Sequence, residues 1–123
     1  MATTATTVVK RFDSPDEVRP FMAHGRAEVL DMNGQDVGCG SFEPGWRWSA
    51  DVKPIAGTDL CQVAHLGYCL SGRMTIHMQD GSDMQIRAGD VFAIAPGHDA
   101  EVVGDETCVL LDFGEFGEYA KRH

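Results

Sequence analysis

An all-β barrel or sandwich is the fold class this sequence predicts, and three observations predict it. Short apolar runs at residues 60–70, 74–78, 84–86, 91–94, 101–103 and 108–113 recur at close, regular spacing. Between them stand Ser71-Gly72, Asp80-Gly81, Ala88-Gly89, Pro96-Gly97 and Gly104-Asp105, residue pairs that turn a chain sharply. Short strands with such punctuation read as a sandwich or barrel. The length, 123 residues, fits one domain with one core.

The N-terminal part reads differently. Residues 1–9 are rich in Thr and Ala, and flexibility is expected at the start. A short helix is predicted over residues 15–22. Ser14 suits the N-cap, Pro15 the first helical position, and Glu17 stands where a capping box needs a carboxylate. Pro20 limits its length, and Val18, Phe21 and Met22 supply an apolar stripe for packing on the outside of the barrel. Strands are predicted at 27–30 and 36–42, joined by Asn33-Gly34, a strong hairpin signal; the glycines of the second run weaken it. After Glu43-Pro44-Gly45, an extended Trp46-Arg47-Trp48 would send both indoles to one face, as core or pocket wall. Residues 51–59 read as a loop, and 114–123 as a tail with a final helical turn through Phe116, Tyr119 and Ala120.

Composition excludes several functions. The formal net charge of −9, with scattered Lys and Arg, argues against nucleic acid and anionic membrane surfaces as partners. No apolar run is long enough to span a bilayer, and the start lacks the basic-then-apolar order of a secretory signal, so a cytoplasmic location is expected. The four cysteines, Cys39, Cys61, Cys69 and Cys108, form no CxxC pair. Cys39, Cys69 and Cys108 lie in strand-like runs and read as small buried hydrophobes.

Two stretches carry a family likeness. Gly89-Asp90-Val-Phe-Ala-Ile-Ala-Pro96-Gly97-His98 is a Gly-Asp start, a strand, and a Pro/Gly turn followed by a histidine. Upstream, His65-Leu-Gly-Tyr68-Cys-Leu70-Ser-Gly72 has six residues between its first residue and a glycine. Together they resemble the two motifs of the cupin superfamily, specifically its small single-domain (cupin type-2-like) members, over roughly residues 37–113. The resemblance implies a double-stranded β-helix (jelly-roll) barrel over 27–113, with the helix-bearing segment 1–26 before it and the tail 114–123 after it.

The usual ligand set is altered. His65 stands where the family has Glu, and the upstream His-x-His pair is matched by Asp51-Val52-Lys53-Pro54, or in another register by Asp59-Leu60-Cys61. His98 directly follows Gly97, whereas the family spacing falls on Ala100. What remains is a candidate metal set of Cys61, His65 and His98. Cys61, Val63 and His65 share one face if the run is extended, and Asp51 or Asp59 is available as an oxygen ligand. These residue types bind divalent transition metals, with Fe, Mn, Ni and Zn as candidates. The alternative reading makes His65 a pocket-lining residue bonded to a carbonyl, His98 a turn residue and Cys61 packing. His24, His77 and His123 read as surface residues.

Trp46, Arg47, Trp48, Lys53, Tyr68 and Phe92 are the candidate pocket residues, with Met74 beside them. Arg47 and Lys53 would suit an anionic or carbonyl-bearing molecule. The leading expectation is therefore a barrel that binds a small polar or anionic molecule, with or without a divalent metal. The second is a metal-dependent isomerase, cyclase, lyase or dioxygenase. A scaffold role through homodimerisation is the third, and a homodimer is expected because such barrels pair through their sheets.

Overall fold

The computed structural model describes residues 6–114 and 116–122. The expectations for residues 1–5 and for His123, and part of the tail reading, lie outside the described residues. Among the described residues, nine strands form two antiparallel sheets: β1 Glu17–Pro20, β2 Gly25–Met32, β3 Gln35–Phe42, β4 His65–Ser71, β5 Arg73–Met78, β6 Asp83–Arg87, β7 Val91–Ile94, β8 His98–Val102 and β9 Cys108–Asp112. The larger sheet runs β1-β2-β3-β9-β4-β7 and the smaller β6-β5-β8. The sandwich of these sheets is the all-β barrel the strand pattern predicts.

The hairpins follow from local chemistry. Asn33 and Gly34 both have positive φ, 58° and 96°, as a two-residue hairpin of matching twist requires. Asp31 Oδ1 also accepts the Gly34 N–H at 2.7 Å. In β9, Cys108, Leu110 and Asp112 face inward while Val109 and Leu111 face outward, the period of two of a half-buried strand. Gly38 in β3 serves packing. A Cβ there would lie 2.3 Å from the Phe116 ring, so the missing side chain is what lets Phe116 insert.

Residues 15–22 do not form a helix. Glu17–Pro20 is an edge strand paired with β2, from Glu17 opposite Val29 to Pro20 opposite Arg26. The local capping signals lose to ladder hydrogen bonds, with Asp16 N–H already donating to Val29 O at 3.0 Å. Pro20 is tolerated because an edge strand leaves one side of its backbone unpaired. Side-chain direction also reverses the expectation: Val18 is exposed, while Arg19 is buried. The Arg19 Nη1 donates to Phe116 O at 3.0 Å and Tyr119 O at 2.9 Å, tying β1 to the C-terminal segment.

The short helices lie elsewhere: α1, Trp48–Asp51, and α2, Lys53–Ala56, in the region read as extended chain and loop. Trp48 opens α1, yet both tryptophans still enter the core. A 3-10 turn, Phe116–Glu118, realises the expected final helical turn and delivers Phe116 and Tyr119 inward. The core joins Phe21, Phe42 and Trp46, with Phe42 and Trp46 ring centroids 4.5 Å apart, to Met74, Ile76 and Phe92 between the sheets. Among the described residues no helix is long and apolar enough to cross a membrane.

Candidate metal centre

Four elements deliver the candidate site. Cys61 lies outside the strands, in an isolated bridge to His98: Cys61 N–H donates to His98 O at 2.8 Å, and Gly97 N–H to Cys61 O at 2.7 Å. His65 opens β4 opposite Ile94, His98 opens β8, and Asp112 closes β9 opposite Gly67. The expectation that Cys61, Val63 and His65 share one strand face is therefore corrected, since β4 begins only at His65. The backbone bridge, instead of strand alternation, brings the thiol in.

One ligand atom each from Cys61, His65 and His98 lies within 4.8 Å of the others. Cys61 Sγ is 3.6 Å from His65 Nε2, and the two imidazoles meet edge to face at 5.3 Å between centroids. Each histidine has its other nitrogen engaged. His65 Nδ1 is 2.5 Å from Asp112 Oδ2, and His98 Nδ1 is 2.9 Å from the Ala95 carbonyl. A carbonyl oxygen only accepts, so His98 carries its proton on Nδ1. A carboxylate imposes the same tautomer on His65. Nε2 is thus the nitrogen each ring has left for a metal, which would displace any proton held there. Asp112 is fixed in turn by Gly114 N–H on Oδ1 at 2.9 Å.

Cys61, His98 and Asp112 are buried and the His65 side chain is only 9% exposed. Burial acts to raise the Cys61 thiol, but hydrogen bonds and positive charge from His65 and His98 outweigh it and hold the thiol below its ordinary range. Burial likewise acts to lower His65; the Asp112 and Cys61 contacts reverse it, and the imidazole sits above its usual value. The Tyr119 hydroxyl is pushed up by burial, with further contributions from Cys61 and Asp112.

The centre borders an interior cavity of about 30 Å³ walled by Trp46, Trp48, Met74, Phe92, Phe116 and Tyr119. A second pocket of about 170 Å³ lies on the Cys61 side, and Trp48 and Tyr119 line both. Three expected pocket residues do not line the interior. Arg47 points outward and pairs with Glu101; Lys53 lies 3.7 Å from the exposed Asp59; Tyr68 is exposed on the outer face of β4. Alternation sends Tyr68 out because its neighbours Gly67 and Cys69 face in. Neither carboxylate suggested as a fourth ligand reaches the cluster: Asp51 accepts from Arg47 N–H and contacts His24 Nδ1, and Asp59 is fully exposed.

Of the other histidines, His24 is half-exposed against Asp51, and His77 is one-third exposed between Asp83 and Glu101. Asp112, Phe116 and Tyr119 were not expected at the site. Asp112 had a signal: a carboxylate two residues from Leu110 and four from Cys108 falls on their inward face.

The sequence matches no protein-family model, and no curated protein matches it. Solved structures match across most of the chain. A Klebsiella pneumoniae protein with a double-stranded β-helix domain is 20% identical over 97% of this chain and 93% of its own, with a TM-score of 0.58. An RmlC-like cupin from Shewanella frigidimarina is 14% identical over 87% and 90%, TM-score 0.58. The KdgF structure from Halomonas sp. is 15% identical over 80% and 87%, TM-score 0.56. The chain has the cupin fold, a double-stranded β-helix barrel.

Proposed function

We propose that this protein is a small-molecule-binding cupin whose Cys61, His65 and His98 hold a divalent transition metal beside the interior cavity. One observation carries the reading: both imidazoles have Nδ1 committed, to Asp112 and to the Ala95 carbonyl, which leaves Nε2 on each as the nitrogen for the cluster with Cys61. Carboxylate and carbonyl partners on the far nitrogen are the usual support of a ligating histidine. One sulfur and two imidazole donors fit Zn, Fe or Ni better than Mn, which prefers oxygen. Bound there, such an ion supplies a Lewis-acidic position for a small ligand, because three protein donors leave coordination open. A metal-dependent isomerase, cyclase, lyase or dioxygenase would draw on the same centre.

The cavity limits what reaches it. A water needs roughly 10–15 Å³, so about 30 Å³ admits a group of very few heavy atoms. Elemental analysis of untagged protein tests the reading. Near-stoichiometric metal, lost in both His65→Ala and His98→Ala, is expected; absence of metal after reconstitution contradicts it.

A second reading has its own support. Cys61 Sγ, His65 Nε2, His65 Nδ1 and Asp112 Oδ2 lie in sequence like a nucleophile, its base and an orienting acid. Selective alkylation of Cys61 in metal-saturated protein would favour this reading, whereas alkylation only after chelation favours the metal. We also propose a homodimer through the outer face of β4 and β7, where Leu66, Tyr68, Leu70 and Val91 are exposed together. Light scattering that gives a monomer mass contradicts it.

A further inference from the structure

We infer that the ligand of this cavity is a neutral carbonyl compound, recognised through its oxygen by the indole N–H groups of Trp46 and Trp48. The inference rests on the proposed metal-bordered cavity and names its ligand class. Trp46 and Trp48 both line the cavity, are 2% and 1% exposed, and have Nε1 buried with no hydrogen-bond partner. Buried indole N–H groups ordinarily find an acceptor, and leaving one without a partner is destabilising. Two such orphans on side chains that line one cavity point to an acceptor that the ligand supplies, because an indole can donate but never accept.

The same wall sets the ligand's charge. Among the described residues no lysine or arginine lines the cavity, whereas Asp112 does and the Cys61 sulfur adjoins its histidines. Arg47 and Lys53, which would have favoured an anion, are on the outside beside Glu101 and Asp59. The Cys61 thiolate and the Asp112 carboxylate offset the charge of the histidines or of a bound divalent metal, so a carboxylate entering here would find no net positive charge. A carbonyl oxygen meets donors and carries no charge. The remaining wall, including Met74, Ile76 and Phe92, suits apolar substituents. An apolar pocket with a few placed donors is the usual build of a small-molecule site.

The chain has two tryptophans, so a ¹H–¹⁵N spectrum carries two indole signals and both report on this wall. Acetone, acetamide and acetate would be titrated into ¹⁵N-labelled protein, with metal content measured on the same samples. Saturable movement of both indole signals with acetone or acetamide, and none with acetate, is expected. In Trp46→Phe and Trp48→Phe, each keeping the ring bulk, binding should weaken about fivefold to tenfold while metal content stays unchanged. Equal response to acetate overturns the charge assignment. Absence of any indole response in metal-replete protein, or unchanged affinity in both variants, overturns the inference while leaving the metal reading standing. Indole movement in protein that takes up no metal supports the inference and contradicts the metal reading instead.

Discussion

Replacing Asp112 by Asn isolates what holds His65 in its ligating state. The wild-type carboxylate has two separate tasks, Oδ1 accepting from Gly114 N–H at 2.9 Å and Oδ2 facing His65 Nδ1 at 2.5 Å. In Asp112→Asn the amide oxygen can keep the Gly114 bond, which turns the NH₂ toward His65. An NH₂ only donates, so Nδ1 must become the acceptor and the proton moves to Nε2, the nitrogen 3.6 Å from Cys61 Sγ. A protonated Nε2 is no ligand. Removal of such an outer partner typically weakens metal affinity 10–100-fold, or about 1.4–2.7 kcal/mol. Competition against a chromogenic chelator would measure it, with His24→Asn as a control away from the cluster. An affinity within twofold of wild type would refute the tautomer argument. Failure of Asp112→Ala, which cannot donate to His65, to retain more metal than Asp112→Asn would refute its directional part.

Other expectations follow from packing and charge. His77 bonds Glu101 and Asp83, both at 2.8 Å, and these carboxylates raise its pKa. A raised folded value means this stabilisation is complete below the ordinary histidine range and is lost as pH rises through the folded value. Urea midpoints across that window should fall with pH in wild type and flatten in His77→Gln. Gly38→Ala would put a methyl 2.3 Å from the Phe116 ring, and denaturant unfolding should show a loss of about 1–3 kcal/mol. Arg19→Met removes the donor to two carbonyls and should cost about 2–4 kcal/mol, with faster amide exchange at Tyr119 as its local sign. Unchanged exchange there would show that Arg19 does not secure the C-terminal segment.

How far the sequence could be read depended on whether the governing forces were local. Asn33-Gly34 specified its hairpin because the turn itself demands positive φ at both residues. Runs such as 91–94 and 108–113 specified strands because their alternation matches a two-sided environment. Ser14, Pro15 and Glu17 misled because a helix of that length gains little, while β2 offers paired positions to Glu17, Val18, Arg19 and Pro20. Tertiary pairing decided it. The strand glycines look like weak points until the Phe116 ring fills the space above Gly38.

Site residues divide in the same way. Cys61, His65 and His98 were nameable from residue type and motif, but their convergence depends on the Cys61–His98 bridge, which no short-range pattern announces. Arg47 and Lys53 were drawn to the pocket by chemistry alone, whereas their carboxylate neighbours hold them outside. Asp112 escaped notice because one acidic residue in an apolar run ordinarily marks a strand end.

The central claim is that Cys61, His65 and His98 ligate one metal ion. Cobalt(II) substitution tests it most directly, because a thiolate bound to cobalt gives a charge-transfer absorption that nitrogen and oxygen ligands do not. The protein should show that band at one equivalent of cobalt, lose it in Cys61→Ser, and lose cobalt binding in the His65→Ala, His98→Ala double variant. A cobalt complex without the band, or a band that survives Cys61→Ser, would contradict the account.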